Sequence, residues 1–133
     1  MWYQLTGWTT TGLTRDDAKW IARLIVYESG DVARQGVDRY AEWQIVASVA
    51  ANRRAGGRVV NVTGKSWNRG QTLAKLEAMD ALPAFPAAEN FAERFVVGAI
   101  QIVNAYGFSH TDQKPRWATD KVGRMWVRYA SEY

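Results

Sequence analysis

The chain has no cysteine, so a disulfide framework, a thiol nucleophile and a cysteine-ligated metal are all excluded. It has one histidine, His110, and a single imidazole without clustered carboxylates does not make a zinc site. A Ser-His-acid triad around it would lack any distinctive nucleophile elbow, so the plain reading of His110 is a loop residue with a hydrogen-bonding role. No apolar run approaches the roughly 20 residues of a membrane span. The N-terminal "MWYQLTGWTTTGLTRDD" carries neither a basic region nor a continuous apolar core, so it does not read as a secretory signal. "VTGKSW" invites comparison with a phosphate-binding loop, but the position that needs the first glycine is Val59. Asn61-Val62-Thr63 has sequon spacing, which matters only for a chain on a eukaryotic secretory route.

Aromatic residues are what the chain has in excess: seven Trp and six Tyr among 133 residues. Buried indoles and phenols need partners for their polar hydrogens, so this number suggests a ligand groove as well as a core. A hydrophobic fraction of 47% and a charged fraction of 23% are ordinary for a globular protein, and the length suits one domain over residues 1–133. The net charge of +4 favours an anionic partner: nucleic acid, a membrane surface or a wall polymer. Lys and Arg are scattered, with "NRRAGGR" the densest patch, which counts against a nucleic-acid interface.

Periodicity predicts a mainly α chain of about five helices, with long loops and little or no sheet. Thr14 with Asp16 and Asp17 marks a helix start, and Ala18, Ile21, Ala22, Ile25 and Val26 continue it to Tyr27. "SGDVARQGVDRY" reads as a loop. "AEWQIVASVAANRR" is a second helix that Gly56-Gly57 ends, and "RVVNVTGKSWNRGQT" reads as a short extended piece with a turn. "LAKLEAMDAL" reads as helix closed by Pro83, "ALPAFPAAEN" as connector and "ENFAERFVVGAIQIVNAY" as helix. "GFSHTDQKPRWA" reads as a second long loop. The pattern of Val122, Met125, Trp126 and Tyr129 in "DKVGRMWVRYASEY" predicts a terminal helix.

"RLIVYESGD" places Glu28 where an apolar stretch gives way to Ser29-Gly30-Asp31. One reading is a solvated glutamate at a helix end. The other is an acid held against apolar and aromatic neighbours beside the negative end of the helix dipole, an environment that favours its protonated form and suits a general acid.

Two resemblances bear on that choice. "ARLIVYESGD", then "EWQIVASVAANRR" ending on Asn52-Arg53, then Phe108, His110, Pro115, Trp117 and Ala118 of "GFSHTDQKPRWA" resemble the spore-cortex-lytic cell-wall hydrolases of the SleB type. The order agrees from about residue 18 onward. Glu28-Ser29-Gly30-Asp31 stands where that family usually has Glu-Ala-Arg-Gly-Glu, and the stretch from Gly57 to Pro86 matches little. Glu28-Ser29-Gly30 followed by Gln44-Ile45 also resembles the soluble lytic transglycosylases. Both families are lysozyme-like α domains that cut peptidoglycan glycan strands with one catalytic glutamate.

The resemblance implies Glu28 as the single general acid/base of a lytic transglycosylase acting on the MurNAc–GlcNAc β-1,4 bond, without metal or cofactor. It implies substrate contacts from Ser29, Gln44, Tyr106, Phe108, His110, Thr111 and Trp117, with Asn52 and Arg53 as apt to brace the fold as to touch sugar. A hydrolytic muramidase would need a second carboxylate. Asp31, Asp38 and Glu42 are the candidates, though each reads first as solvated loop charge or a cap on the second helix. The implied partner is the glycan strand, met at the bacterial wall, in the periplasm or outside the cell. With no signal sequence read, a phage-encoded or virion-carried protein fits, either a free monomer or part of a virion assembly. A nucleic-acid module and a non-catalytic wall-binding or virion structural protein are the rival readings.

Overall fold

The computed structural model describes residues 13–29, 39–55 and 73–129. Helix α1 (Arg15–Ser29) is followed by α2 (Arg39–Ala55), the short α3 (Leu73–Glu77), a 3-10 turn (Ala78–Ala81) and α4 (Phe85–Val96). Strands β1 (Ala105–Ser109), β2 (Asp120–Val122) and β3 (Met125–Tyr129) complete the order. The described chain is helix-rich with one small antiparallel sheet, in the strand order β1-β3-β2. The N-terminal stretch, the first loop with Gly30, Asp31 and Asp38, and the segment from Gly56 to Thr72 lie outside the described residues.

Helix α1 begins where the sequence predicts it. Thr14 and Asp17 form a reciprocal cap: the Asp17 amide donates to the Thr14 hydroxyl at 3.4 Å, and the Thr14 amide to the Asp17 carboxylate at 2.7 Å. The helix then runs two residues past the expected Tyr27 end, so Glu28 sits inside its last turn. Ile21, Leu24, Ile25 and Val26 are buried against α4 and α2. Helix α4 contributes Phe91, Ala92 and Phe95 to the same core, and α2 contributes Trp43, Val46, Val49 and Ala50. Helix α2 also packs on β1, so it stands between the helical core and the sheet.

Three expectations are corrected. The fourth helix starts inside the presumed connector, because Pro86 falls in its first turn, where the missing amide hydrogen has no helical partner to lose. It stops at Gly98, whose φ of 83° is readily reached only without a side chain. The Gly98 amide donates to the Phe95 carbonyl and the Ala99 amide to the Arg94 carbonyl, a closure that uses the helix's last free acceptors. The remainder of the expected helix leads into β1.

The expected terminal helix is a hairpin. Gly123, with φ of 56°, and Arg124 form a two-residue loop with glycine first, and Val122 pairs with Met125 across it. Beyond it Met125 and Val127 are buried while Arg128 is exposed, a period-two pattern. The apolar spacing fits either period over so short a run, and the glycine in its middle favours the turn. The late loop is shorter than expected, because Gly107 to Ser109 belong to β1.

A charged pair fixes the 3-10 turn that follows α3. Arg23 is 7% exposed and donates to Asp80 through Nε at 2.8 Å and Nη2 at 2.7 Å, with its guanidinium 4.4 Å over the Trp20 ring. The paired hydrogen bonds hold the Asp80 carboxyl below its ordinary value, with desolvation opposing them. A lowered carboxyl pKa contributes stability above the ordinary value of 3.8, and that contribution is lost as pH falls through the lowered one. Asp80→Ala should therefore cost about 2 kcal/mol at neutral pH, moderated by the solvent reaching Asp80. Chemical denaturation across pH should show the gap to wild type closing in acid; a gap independent of pH would contradict the role given to this pair.

Candidate functional site

The resembling helix, α2, acts first as a ladder for the backbone that follows α4. Gln44, Ser48 and Asn52 recur every four residues and so share one face. Gln44 Nε2 donates to the Gln101 carbonyl at 2.7 Å, and the Ser48 hydroxyl accepts the Val103 amide at 3.1 Å. Asn52 Nδ2 donates to the carbonyls of Val103 at 2.9 Å and Ala105 at 2.8 Å, and Arg53 Nε to that of Tyr106 at 3.4 Å. Residues 101–104 are neither helix nor strand, so these side chains satisfy backbone groups that would otherwise be stranded. Asn52 and Arg53 thus brace the fold, and the Gln44 amide, expected at substrate, has a bracing partner too.

A second set of bonds ties the end of α1 to the hairpin. Glu42, expected as solvated charge, a cap or a second acid, is 2% exposed. Its carboxylate accepts the Arg124 backbone amide at 3.0 Å, and Arg124 Nε lies 3.2 Å from each of its oxygens. Arg124 Nη2 donates to the Ser29 carbonyl. That carbonyl belongs to the helix terminus, where acceptors lack partners and a cation is favoured, and α1 has no basic residue in its own last turn. Gly123 permits the approach: a Cβ there would lie 2.9 Å from Glu42 Cγ. Glu42 is therefore a buried structural anion, held by a guanidinium, and is unsuited to activating water.

Arg124 also lines a recess of about 400 Å³, together with His110, Thr111, Asp112 and Lys121. His110 and Thr111 were expected at the site; Asp112 and Lys121 were not. Lys121 Nζ sits 5.3 Å over the Trp126 ring, and Phe108 meets His110 edge to face at 5.9 Å. One guanidinium thus reaches both this recess and the turn that carries Glu28, which is half-buried, and Ser29, which is 3% exposed. The Ser29 hydroxyl is buried without a hydrogen-bond partner among the described residues. Tyr106 is half-buried at an irregularity where Ala105 and Gly107 oppose the neighbouring residues Tyr129 and Arg128. Trp117 is 38% exposed and does not line the recess.

Chemically, the recess combines an imidazole, an ammonium and a guanidinium with one carboxylate and a hydroxyl. It suits a polar ligand. Among the described residues there is no cluster of three His, Asp or Glu able to hold a metal ion. Asp112 and Lys121 were missed because they lie in a presumed loop and a presumed helix, respectively, so nothing local marked them as neighbours.

Removing Arg124 leaves a buried carboxylate uncompensated, so Arg124→Ala should cost about 3 kcal/mol. Gly123→Ala should cost about 1–3 kcal/mol through its positive φ and the displaced Glu42. Thermal unfolding of both variants is the check, and unchanged midpoints would remove the anchoring role from this cluster.

No family model matches the chain, no curated protein matches it in sequence, and no solved structure matches it.

Proposed function

We propose that the chain cleaves peptidoglycan glycan strands at the MurNAc–GlcNAc β-1,4 bond as a lytic transglycosylase, with Glu28 as the general acid and base. The observation that carries this reading is the link through Arg124 between the Glu28 turn of α1 and the recess lined by His110 and Thr111. Glycoside cleavage requires an acid near the bound strand, since the departing bridge oxygen needs a proton as C1 becomes cationic.

In this mechanism protonated Glu28 gives its proton to the bridge oxygen and the C1–O bond breaks. The 6-hydroxyl oxygen of the same muramic sugar then bonds to C1, and its proton passes to the Glu28 carboxylate. The anhydro ring closes, the acid is regenerated and no water is consumed. His110 and Thr111 contact the N-acetyl or lactyl substituents, and Lys121 attracts the carboxylates of the lactyl and peptide groups. Phe108, which meets His110 edge to face, and Tyr106 offer apolar surface to the sugar rings. The burial of Glu42 against Arg124 favours this route over hydrolysis, because it removes one of the candidate second acids.

The hydrolytic alternative has a specific foothold in Asp112, an exposed carboxylate that lines the recess. The action belongs at the wall, outside the cytoplasmic membrane, by release or virion delivery. No described helix is long and apolar enough to cross a membrane.

Purified peptidoglycan digested by wild type and Glu28→Gln should separate the readings by mass spectrometry. Anhydro-muramic ends from wild type, reduced at least 100-fold in the variant, are the expected result. Reducing ends that disappear in Asp112→Asn would establish a muramidase. Full activity in folded Glu28→Gln would end the assignment, and no product from folded wild type would point to a binding or virion structural role.

A further inference from the structure

The α2–α4 side of the molecule carries a second recess, of about 370 Å³, that shares no residue with the one lined by His110 and Thr111. Arg39, Tyr40 and Trp43 line it from the first turns of α2, and Asn90, Phe91 and Arg94 from one face of α4. Its floor is rigid. Phe91 meets Tyr40 edge to face at 5.1 Å and Trp43 at 5.6 Å, and Phe91 and Trp43 are themselves buried. The Arg39 guanidinium lies 4.9 Å over the Trp43 ring, which fixes the cation at the rim.

Among the described residues no Asp or Glu lines the recess, and neither Arg39 nor Arg94 forms an ion pair. Two guanidiniums brought to one concavity without a counter-charge repel each other, and an oxyanion between them relieves that repulsion. Guanidinium forks match phosphate and carboxylate oxygens in geometry as well as in charge. One further polar group belongs to the walls, the amide of Asn90, an exposed residue. Tyr40, 47% exposed, leaves ring surface open to the recess.

We propose that this recess binds an oxyanion carried on a saccharide or polyol chain. The anion lies between Arg39 and Arg94, the Asn90 amide meets a hydroxyl, and the carbon skeleton rests on Tyr40. A single-stranded nucleic acid fits less well, because successive bases need several stacking faces and Tyr40 is the open ring among those that line the recess. The site is independent of Glu28 chemistry: a protein that cuts glycans and one that only binds them could both use it to hold an acidic polymer.

Titration calorimetry on the full chain tests this, with glycerol-phosphate oligomers, oligouronates, inorganic phosphate, neutral chitooligosaccharides and oligothymidylate as probes. At least one acidic oligomer should bind wild type, weaken as salt rises, and bind about tenfold more weakly to Arg39→Gln/Arg94→Gln and to Tyr40→Ala. Competition by inorganic phosphate would identify phosphate as the recognised group, and preference for the oligouronate would identify carboxylate. Arg94→Gln alone removes an exposed side chain outside the core, so its weaker binding would separate recognition from folding. Equal affinity in wild type and the folded variants overturns the proposal, as does binding of neither acidic oligomer. Neutral oligosaccharides binding as well as acidic ones would also overturn it, as would tighter oligothymidylate binding that the same variants abolish.

Discussion

Everything near the end of α1 depends on one buried ion pair. Arg124 joins the Glu42 carboxylate on α2, its own hairpin and the Ser29 carbonyl that terminates α1. An isolated buried carboxylate is expensive, and its strongest compensation is a guanidinium that also satisfies other polar groups. Here the compensation is shared among three elements, so the orientation of the Glu28 turn and the position of the β2–β3 loop are set together. Gly123 makes the arrangement sterically possible by leaving room for the Glu42 side chain.

The α2 ladder does comparable work on a longer stretch. Gln44, Ser48, Asn52 and Arg53 hold an irregular segment that links the last helix to the sheet, using side-chain amides, a hydroxyl and a guanidinium in place of a neighbouring strand. Helix α2 is consequently apolar toward α1 and α4 and polar toward the sheet. A helix in that position organises the fold on both sides, which accounts for a sequence that mixes core residues with evenly spaced polar ones.

Helices with strong local signals were legible from the sequence. The Thr14–Asp17 cap, the apolar stripe of α1 and the apolar face of α2 each announce themselves within a few residues. The β2–β3 hairpin did not, because Val122, Met125, Trp126 and Tyr129 fit a helical stripe as well as an alternating one until Gly123 is given its turn. At the candidate site, Glu28, His110 and Thr111 were singled out in sequence, and Arg124 connects the end of α1 to the recess that His110 and Thr111 line. Gln44 and Asn52 carried a recognisable pattern whose observed partners are backbone groups. The pairing of Glu42 with Arg124 was beyond local reading, since 82 positions separate the two residues.

That separation has a consequence for the order of events during synthesis. Ser29 is made 95 residues before the arginine that fastens its carbonyl. The helices can therefore form while the turn that carries Glu28 is still without its anchor. Such long loops close late, after local structure has reduced the entropy of bringing distant segments together. An emerging chain would carry Glu28 in an unfastened turn until the β2–β3 hairpin had been made, which places the anchoring of that turn after the helices.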